Sequence, residues 1–568
     1  MKKSHITRSI LLYVVLTACL TALPGRVAPA TETKTPANVQ KILQYISSGW
    51  DALSRSMTEC RTYTDPKTNV KSVLYLPADF PEPAGLRTAA AGCQVQVSRL
   101  PVIIKKLGAA DLSAIKSQGL LYLPKPYVVP GGMFNEMYGW DSYFIIRGLV
   151  EDGRLNLAQD IIDNFFFEID HYGGILNANR TYYLTRSQPP FLTSMIRAVY
   201  EAEKARGQSD PAWLRTAYDH AVKDYRFWTE PPHLAGDTGL SRFYDFGEGP
   251  VPELGPATDT YYRTVAQYFL LHPQGSRAYL QLVPKKENGS QATVLGPEFS
   301  LNLDFTLNEP GAKQQDETLD KFVLTPRFYK GDRSMRESGF DVSFRFGPFG
   351  AGTPDFAAVG LNCLLYKSEQ DLEWMSAQLG LKEASVDWRQ RAATRRLEID
   401  KYLWSSSYGL YYDYDFTSGT RSRYSYATTF YPLWVGLASP EQAKAVFKNL
   451  AAFDRPGGIV MSMVNTGAQW DAPYGWAPIQ LIALEGLRRY GYVAEANGIS
   501  LQFLSMVLDN FLTDGNIREK YDVDTRSSET DIQVGYKTNV VGFGWTSGAF
   551  LALYNALPKA AQERLAQE

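Results

Sequence analysis

One local pattern dominates this chain: two helical segments joined by a short turn, then a longer polar loop. Pro189-Pro190 opens the clearest copy, "PPFLTSMIRAVYEAEKARG". Leu192, Met195, Ile196 and Val199 recur at three- and four-residue spacing and make one apolar stripe, and Gly207 ends the run. "PAWLRTAYDHAVKDYRFW" follows after the short turn "QSD". "PDFAAVGLNCLLYKSEQDLEWMSAQLG" with "VDWRQRAATRRLEIDKYLW" repeats the arrangement, as does "GWAPIQLIALEGLRRYG" with "AEANGISLQFLSMVLDNFL". "PEQAKAVFKNLAAF" and "GWTSGAFLALYNALP" add further helices, and Val39, Ile42, Leu43 and Ile46 mark one more near the start. A short turn makes neighbouring helices antiparallel, and each apolar stripe must be buried on the next pair. A long series of such pairs closes into a helical toroid or winds into a superhelix.

Two regions stand outside this pattern. Residues from about 56 to 130 are rich in turn signals and short extended runs such as "SVLYLPADF". The segment 273–335 is rich in Gly, Pro and charge, alternates in "EFSLNLDFTL", and reads as a long excursion.

The net charge is -2 over 568 residues, with no basic tail or stripe, which argues against nucleic acid as a partner. Aromatics reach 13 %, including 35 Tyr and 11 Trp. That content serves either a large core or a wet pocket whose ring faces pack on sugar C–H groups. Five scattered His and no Cys/His cluster predict no metal site, and no dinucleotide or P-loop fingerprint predicts a cofactor.

At the N-terminus Lys2, Lys3 and Arg8 precede the apolar run Ile10–Leu20, and Ala28-Pro29-Ala30 offers a small-residue cleavage site. This order reads as a secretory signal over residues 1–30, with an exported, periplasmic protein as the expectation. Leu16-Thr17-Ala18-Cys19 offers the alternative of a lipid anchor at Cys19. No later stretch is apolar enough to span a membrane. Cys60 and Cys93 could pair as a disulfide, a connectivity that spacing does not decide. Cys363, in "AAVGLNCLLY", reads as a buried thiol.

Chemistry concentrates in polar, aromatic, Gly/Pro-rich stretches at helix junctions, where rigid helices position loops. They are "PGGMFNEMYGWDSYF" (130–144), "NANRTYYLTRSQPPF" (177–191), "RESGFDVSFRFGPFG" (336–350), "GAQWDAPYGWAPIQ" (467–480) and "IREKYDVD" (517–524). The first is similar to the signature PGGRFxExYxWDxY of the trehalases, family 37 of the glycoside hydrolases, and "QWDAPYGWAP" resembles that family's second signature. "YYLTRSQPPF", "SGFDVSFRF", "EKYD" and "GFGWTSG" (542–548) resemble further family blocks, in the family's order. The resemblance covers roughly residues 120 to 550. It implies an all-α (α/α)6 barrel spanning 131–560, interrupted by the excursion, with residues 31–130 packing on it. It also implies hydrolysis of α,α-trehalose with inversion, by a monomer that needs no cofactor.

An inverting glycosidase needs a protonated acid at the leaving oxygen and a carboxylate that activates water on the opposite face, roughly 6.5–9.5 Å apart. By resemblance Asp341 is the general acid and Glu519 the general base. Phe340 is a candidate for the apolar wall that would raise the pKa of the acid. The resemblance also assigns sugar binding to Phe134, Tyr138, Trp140, Asp141, Asn177, Arg186, Gln188, Glu253, Gly339, Trp470 and Asp471. For Asp141 a helix N-cap is the alternative role. Trp476, which runs into a helix, reads as core.

Three departures bear on specificity. The family has arginine where this chain has Met133, and a second arginine where it has Val251. The glycine-rich lid expected before "GFGW" is replaced by "RSSETDIQVGYKTNVV". Arg180, Arg336 and Arg345 are candidate substitutes for the missing cations. Three readings follow: a trehalose hydrolase, the same machinery on another α-glucoside disaccharide, and a sugar-binding protein without turnover.

Overall fold

The computed structural model describes residues 37–64, 72–109, 111–275, 278–282, 299–300 and 321–565. The leader reading and Cys19 lie outside these residues. Six inner segments, Asp141–Glu151, Leu192–Ala205, Val359–Gln378, Tyr431–Trp434, Ala477–Arg489 and Gly544–Asn555, each pack on the next, and the last packs on the first. Outer helices Leu155–His171, Pro211–Thr229, Lys382–Tyr402, Pro440–Lys448 and Val493–Asp514 follow the first five in the chain. Helix Ala37–Leu53 takes the sixth outer position, packed on Val493–Asp514 and Gly544–Asn555. The ring is the (α/α)6 toroid. It draws a stave from the region before residue 131, which the sequence reading set aside as a flanking segment.

Inner and outer helices bury their residues differently. Ala37–Leu53 buries Val39, Ile42, Ile46, Trp50 and Leu53, one stripe at helical spacing. Val359–Gln378 is covered on nearly every side, from Val359 through Tyr366 without a gap. The ring closes tightly at two glycines. A Cβ on Gly148 would lie 2.6 Å from the Gly548 Cα, and one on Gly548 would overlap the Phe144 carbonyl. Only residues without side chains let these two inner helices approach so closely. Turn chemistry fixes the outer helices: Asp210 caps Pro211–Thr229 by accepting from the Ala212 N–H, and Ser439 with Gln442 forms a capping box on Pro440–Lys448.

Before the barrel, strands Val73–Leu76, Gln96–Arg99 and Leu120–Leu121 form a small parallel sheet with Val73–Leu76 at its centre. Cys60 and Cys93 form a disulfide beside it, with Cα atoms 5.2 Å apart, and Cys363 is a buried thiol on an inner helix. Ser54–Arg55 pairs antiparallel with Tyr127–Val128 and leads the chain into the loop at Pro130.

The stretch read as an excursion is partly described. It contains antiparallel strands Leu280–Leu282, Phe299–Ser300 and Lys321–Leu324, and it ends in helix Pro326–Glu337. The helix escaped the sequence reading because its buried face carries Asp332, Arg333, Arg336 and Glu337, which give no apolar stripe. Val251, Tyr262, Phe269, Phe328 and Tyr329 make a second small core under it. Among the described residues no helix is long and apolar enough to cross a membrane.

Candidate active site

The loops that precede the inner helices converge on a cavity of about 320 Å³. Twelve of the thirteen candidate site residues line it: Asp341, Glu519, Phe134, Tyr138, Trp140, Asp141, Asn177, Arg186, Gln188, Glu253, Gly339 and Trp470. Asp471 is the exception and corrects the sequence reading. It is fully buried away from the cavity, accepting from the Ser343 hydroxyl (3.0 Å), the Phe344 N–H (3.0 Å) and the Thr466 hydroxyl (2.6 Å). Its carboxylate is spent on tying the loop after Asp341 to the loop around Trp470.

One wall is aromatic. Trp140 meets Phe340 (5.4 Å), Trp545 (5.7 Å) and Trp470 (5.8 Å) between ring centroids. Trp470 stacks flat on Trp476 at 3.8 Å, so Trp476, read as core, also borders the cavity. Phe340 lies behind this wall, 3 % exposed against Trp140 and Trp470, and does not face the cavity. Gly339 holds φ +77°, and a Cβ there would stand 2.9 Å from the Trp140 ring, so glycine is required twice over.

The other wall is ionic. Arg186 donates to Asn177 Oδ1 (3.0 Å) and Glu253 Oε1 (2.6 Å). Burial pushes the Glu253 carboxyl up, but the Arg186 and Arg336 guanidiniums outweigh it and hold it below its ordinary range. Gln188 turns its Oε1 to the Trp140 N–H (3.0 Å), locking the start of the first inner helix. Arg186 Nε, Arg336 Nε and Nη2, and Glu253 Oε2 are buried without a hydrogen bond. Such groups are costly, and the ion pairs of Arg336 with Asp332 (3.4 Å) and of Arg186 with Glu253 (2.6 Å) offset part of that cost.

Besides Glu253, three carboxyls line the cavity. Burial raises Asp341 to about 6, against the lowering pull of Arg336, Arg186 and Tyr536. Burial also raises Glu519, opposed by Lys520 and by the backbone at Val540. Asp141, in the first turn of an inner helix, is pushed up by burial, and the nearby Glu519 and Asp341 charges add to this. Glu519 is anchored through its backbone, its N–H on the Val540 carbonyl (3.0 Å) and its carbonyl on the Trp545 indole N–H (3.1 Å).

Sequence reasoning missed the residues that tie these groups together. Buried Lys520 stands 3.4 Å from Glu519 Oε2 and donates to Gln469 Oε1 (3.0 Å) and the Tyr536 carbonyl (3.1 Å). Gln469 donates its amide to the Asp341 carbonyl and accepts the Tyr536 N–H (3.2 Å). Gln469 and Lys520 sit inside quoted blocks, beside the assigned residues, and that adjacency was the available signal. Tyr536, Thr538 and Val540 of the replaced lid line the cavity, where no motif marked them.

The candidate arginines sort clearly. Arg336 lines the cavity, 3.5 Å from Asp341 Oδ2. Arg180 is paired with buried Glu136 (2.7 Å), and Arg345 is bound to Asp413 through two nitrogens (2.6 and 2.5 Å); neither lines the cavity. Met133 is 43 % exposed at the rim, whereas Val251 is buried in the second core.

Comparison with known proteins gives a consistent picture. The chain is 37 % identical over 461 residues to the cytosolic neutral trehalase of Kluyveromyces lactis, covering 75 % of this chain and 56 % of that protein. It is 34 % identical over 537 residues to the cytosolic neutral trehalase of Saccharomyces cerevisiae, covering 84 % and 65 %. The chain thus spans between about half and two thirds of the length of these relatives. The solved structure of the neutral trehalase Nth1 of Saccharomyces cerevisiae superposes with a TM-score of 0.73 at 30 % identity, over 93 % of this chain and 96 % of that one. These names overturn the expectation of a signal peptide and a periplasmic location, since the relatives are named cytosolic. A basic, apolar, small-residue order is a property of local composition alone, and it misled. The trehalase family model matches residues 64–281 and 308–557, most of the chain, and the chain belongs to the trehalase family.

Proposed function

We propose that this protein hydrolyses α,α-trehalose to glucose with inversion, Asp341 serving as general acid and Glu519 as general base. The observation that carries the reading is the pair of half-buried carboxyls, on separate loops, facing one cavity with their pKa values raised. Asp341 at about 6 keeps a proton to give in weakly acidic solution. Glu519, held near Lys520, ionises to take a proton from water. The polar side chains of Asn177, Arg186, Gln188, Glu253 and Arg336 that line the cavity suit sugar hydroxyls, which both give and accept hydrogen bonds. The aromatic wall of Trp140, Trp470 and Trp476 suits a sugar ring face. Asp341→Asn and Glu519→Gln should each lower kcat on trehalose by about 10²–10⁴-fold with the fold intact by circular dichroism. Activity within tenfold of the parent in either variant would remove that residue from its role.

One observation favours a second substrate. Met133 places a thioether at the rim where the family pattern has a guanidinium. A different α-glucoside disaccharide, cleaved by the same two carboxyls, is the alternative, and a disaccharide panel decides between them.

A further inference from the structure

The segment that replaces the glycine-rich lid carries a side chain into the ionic wall. Tyr536 accepts a hydrogen bond from Arg336 Nη1 at 2.8 Å. The same nitrogen is 3.5 Å from Asp341 Oδ2, so one guanidinium nitrogen sets the phenol and the carboxyl side by side. Arg336 has only protons to give, so the phenol oxygen is the acceptor there. The phenol keeps its own proton to give, and the Asp341 carboxylate beside it can only accept when ionised. The backbone of Tyr536 is fixed at both ends, its N–H on Gln469 and its carbonyl on Lys520. Those two side chains also touch the Asp341 carbonyl and the Glu519 carboxylate.

We propose that Tyr536 is a positioning residue: its hydroxyl, oriented by Arg336, donates to one oxygen of Asp341 and leaves the other oxygen to carry the acid proton toward the leaving oxygen. The role in turnover rests on the assignment of Asp341 as general acid; the hydrogen bond does not.

The charges around Asp341 allow the consequence to be worked out. Arg336 approaches from helix Pro326–Glu337, Arg186 from the loop before Leu192, Glu253 from the short turn Pro252–Ala257, and Asp141 from the first inner helix. Arg336 is also held by Asp332 (3.4 Å) and Glu253 (3.9 Å), so removing the phenol leaves the guanidinium in place. What Asp341 loses is a donor to its ionised form, and its pKa rises.

The test is Tyr536→Phe, which keeps the ring. The Asp341 carboxyl is titrated by ¹³C NMR in both proteins, with its signal assigned by its absence in Asp341→Asn. In parallel, kcat and kcat/KM on trehalose are followed against pH. A general acid loses activity as pH rises through its pKa, so the basic limb of the parent falls near pH 6. Expected in Tyr536→Phe are an upward move of the Asp341 titration and of the basic limb by about half a pH unit or more. A fall in kcat of about tenfold, with KM changing less, should accompany it. A titration that is unmoved or moves down overturns the proposal. Should the parent not cleave trehalose, the NMR titration still decides whether Tyr536 donates to Asp341, and the failure belongs to the proposed function.

Discussion

At the scale of single residues the site is a competition between burial and nearby charge. Burial raises Asp341, Glu519 and Asp141 alike; nearby cations restrain the first two, whereas the Glu519 and Asp341 charges push Asp141 further up. Glu253 shows the opposite outcome, because two guanidiniums flank it. Met133 is the residue where this balance leaves room to gain. If trehalose is the substrate, Met133→Arg adds one charge-assisted hydrogen bond, about 1.5–3 kcal/mol. Steady-state kinetics should then show kcat/KM on trehalose rising by about tenfold or more. A fall on trehalose, with a better disaccharide found in the panel, would mean that the rim was shaped for another sugar.

The quoted blocks made most of the site legible in the sequence, for a geometric reason. Each block sits just before an inner helix or in a loop at the same end of the ring, so residues far apart in the chain reach one cavity. Asp471 shows the limit. A motif gives proximity to a site but not the direction of a side chain, and this one points back into the loops it ties together. Tyr536 was hidden for the converse reason, since it lies in a segment with no helical period and no matching block.

Individual helices carry costs of their own. Asp224 lies on the buried side of outer helix Pro211–Thr229, 6 % exposed, and burial pushes its carboxyl to about 7. The sign follows from comparing folded and unfolded chains. The raised carboxyl keeps its proton in the fold while the unfolded chain, with its ordinary value of 3.8, ionises. Stability therefore falls as pH rises from 3.8 to about 7, and the full penalty applies above that. Asp224→Asn should be more stable than the parent at pH 8 by on the order of 4 kcal/mol, and the gain should vanish near pH 3. Urea unfolding at the two pH values measures it, and an equal difference at both would show that the effect is not the charge. Helix Pro326–Glu337 illustrates why some elements were not legible. Its buried face is built from ion pairs, so hydropathy gives no period, although its Thr325-Pro326 start is an ordinary N-terminal signal.

For the whole molecule, paired amphipathic helices restricted the chain to a toroid or a superhelix, and they could not choose between the two. Closure depends on contacts that sequence spacing does not reveal: the Gly148–Gly548 crossing, and the helix Ala37–Leu53 filling the last outer place. Closure is what brings Asp141, Asp341 and Glu519 around one axis, so the chemistry depends on the ring being complete. The central claim is direct inversion at one cavity by two carboxyls. Proton NMR of the first turnovers on α,α-trehalose tests it most directly. Inversion releases one glucose as the β anomer from the attacked half and one as the α anomer from the leaving half. Equal early amounts of the two are the predicted result; glucose appearing only as the α anomer, or no glucose at all, would contradict it.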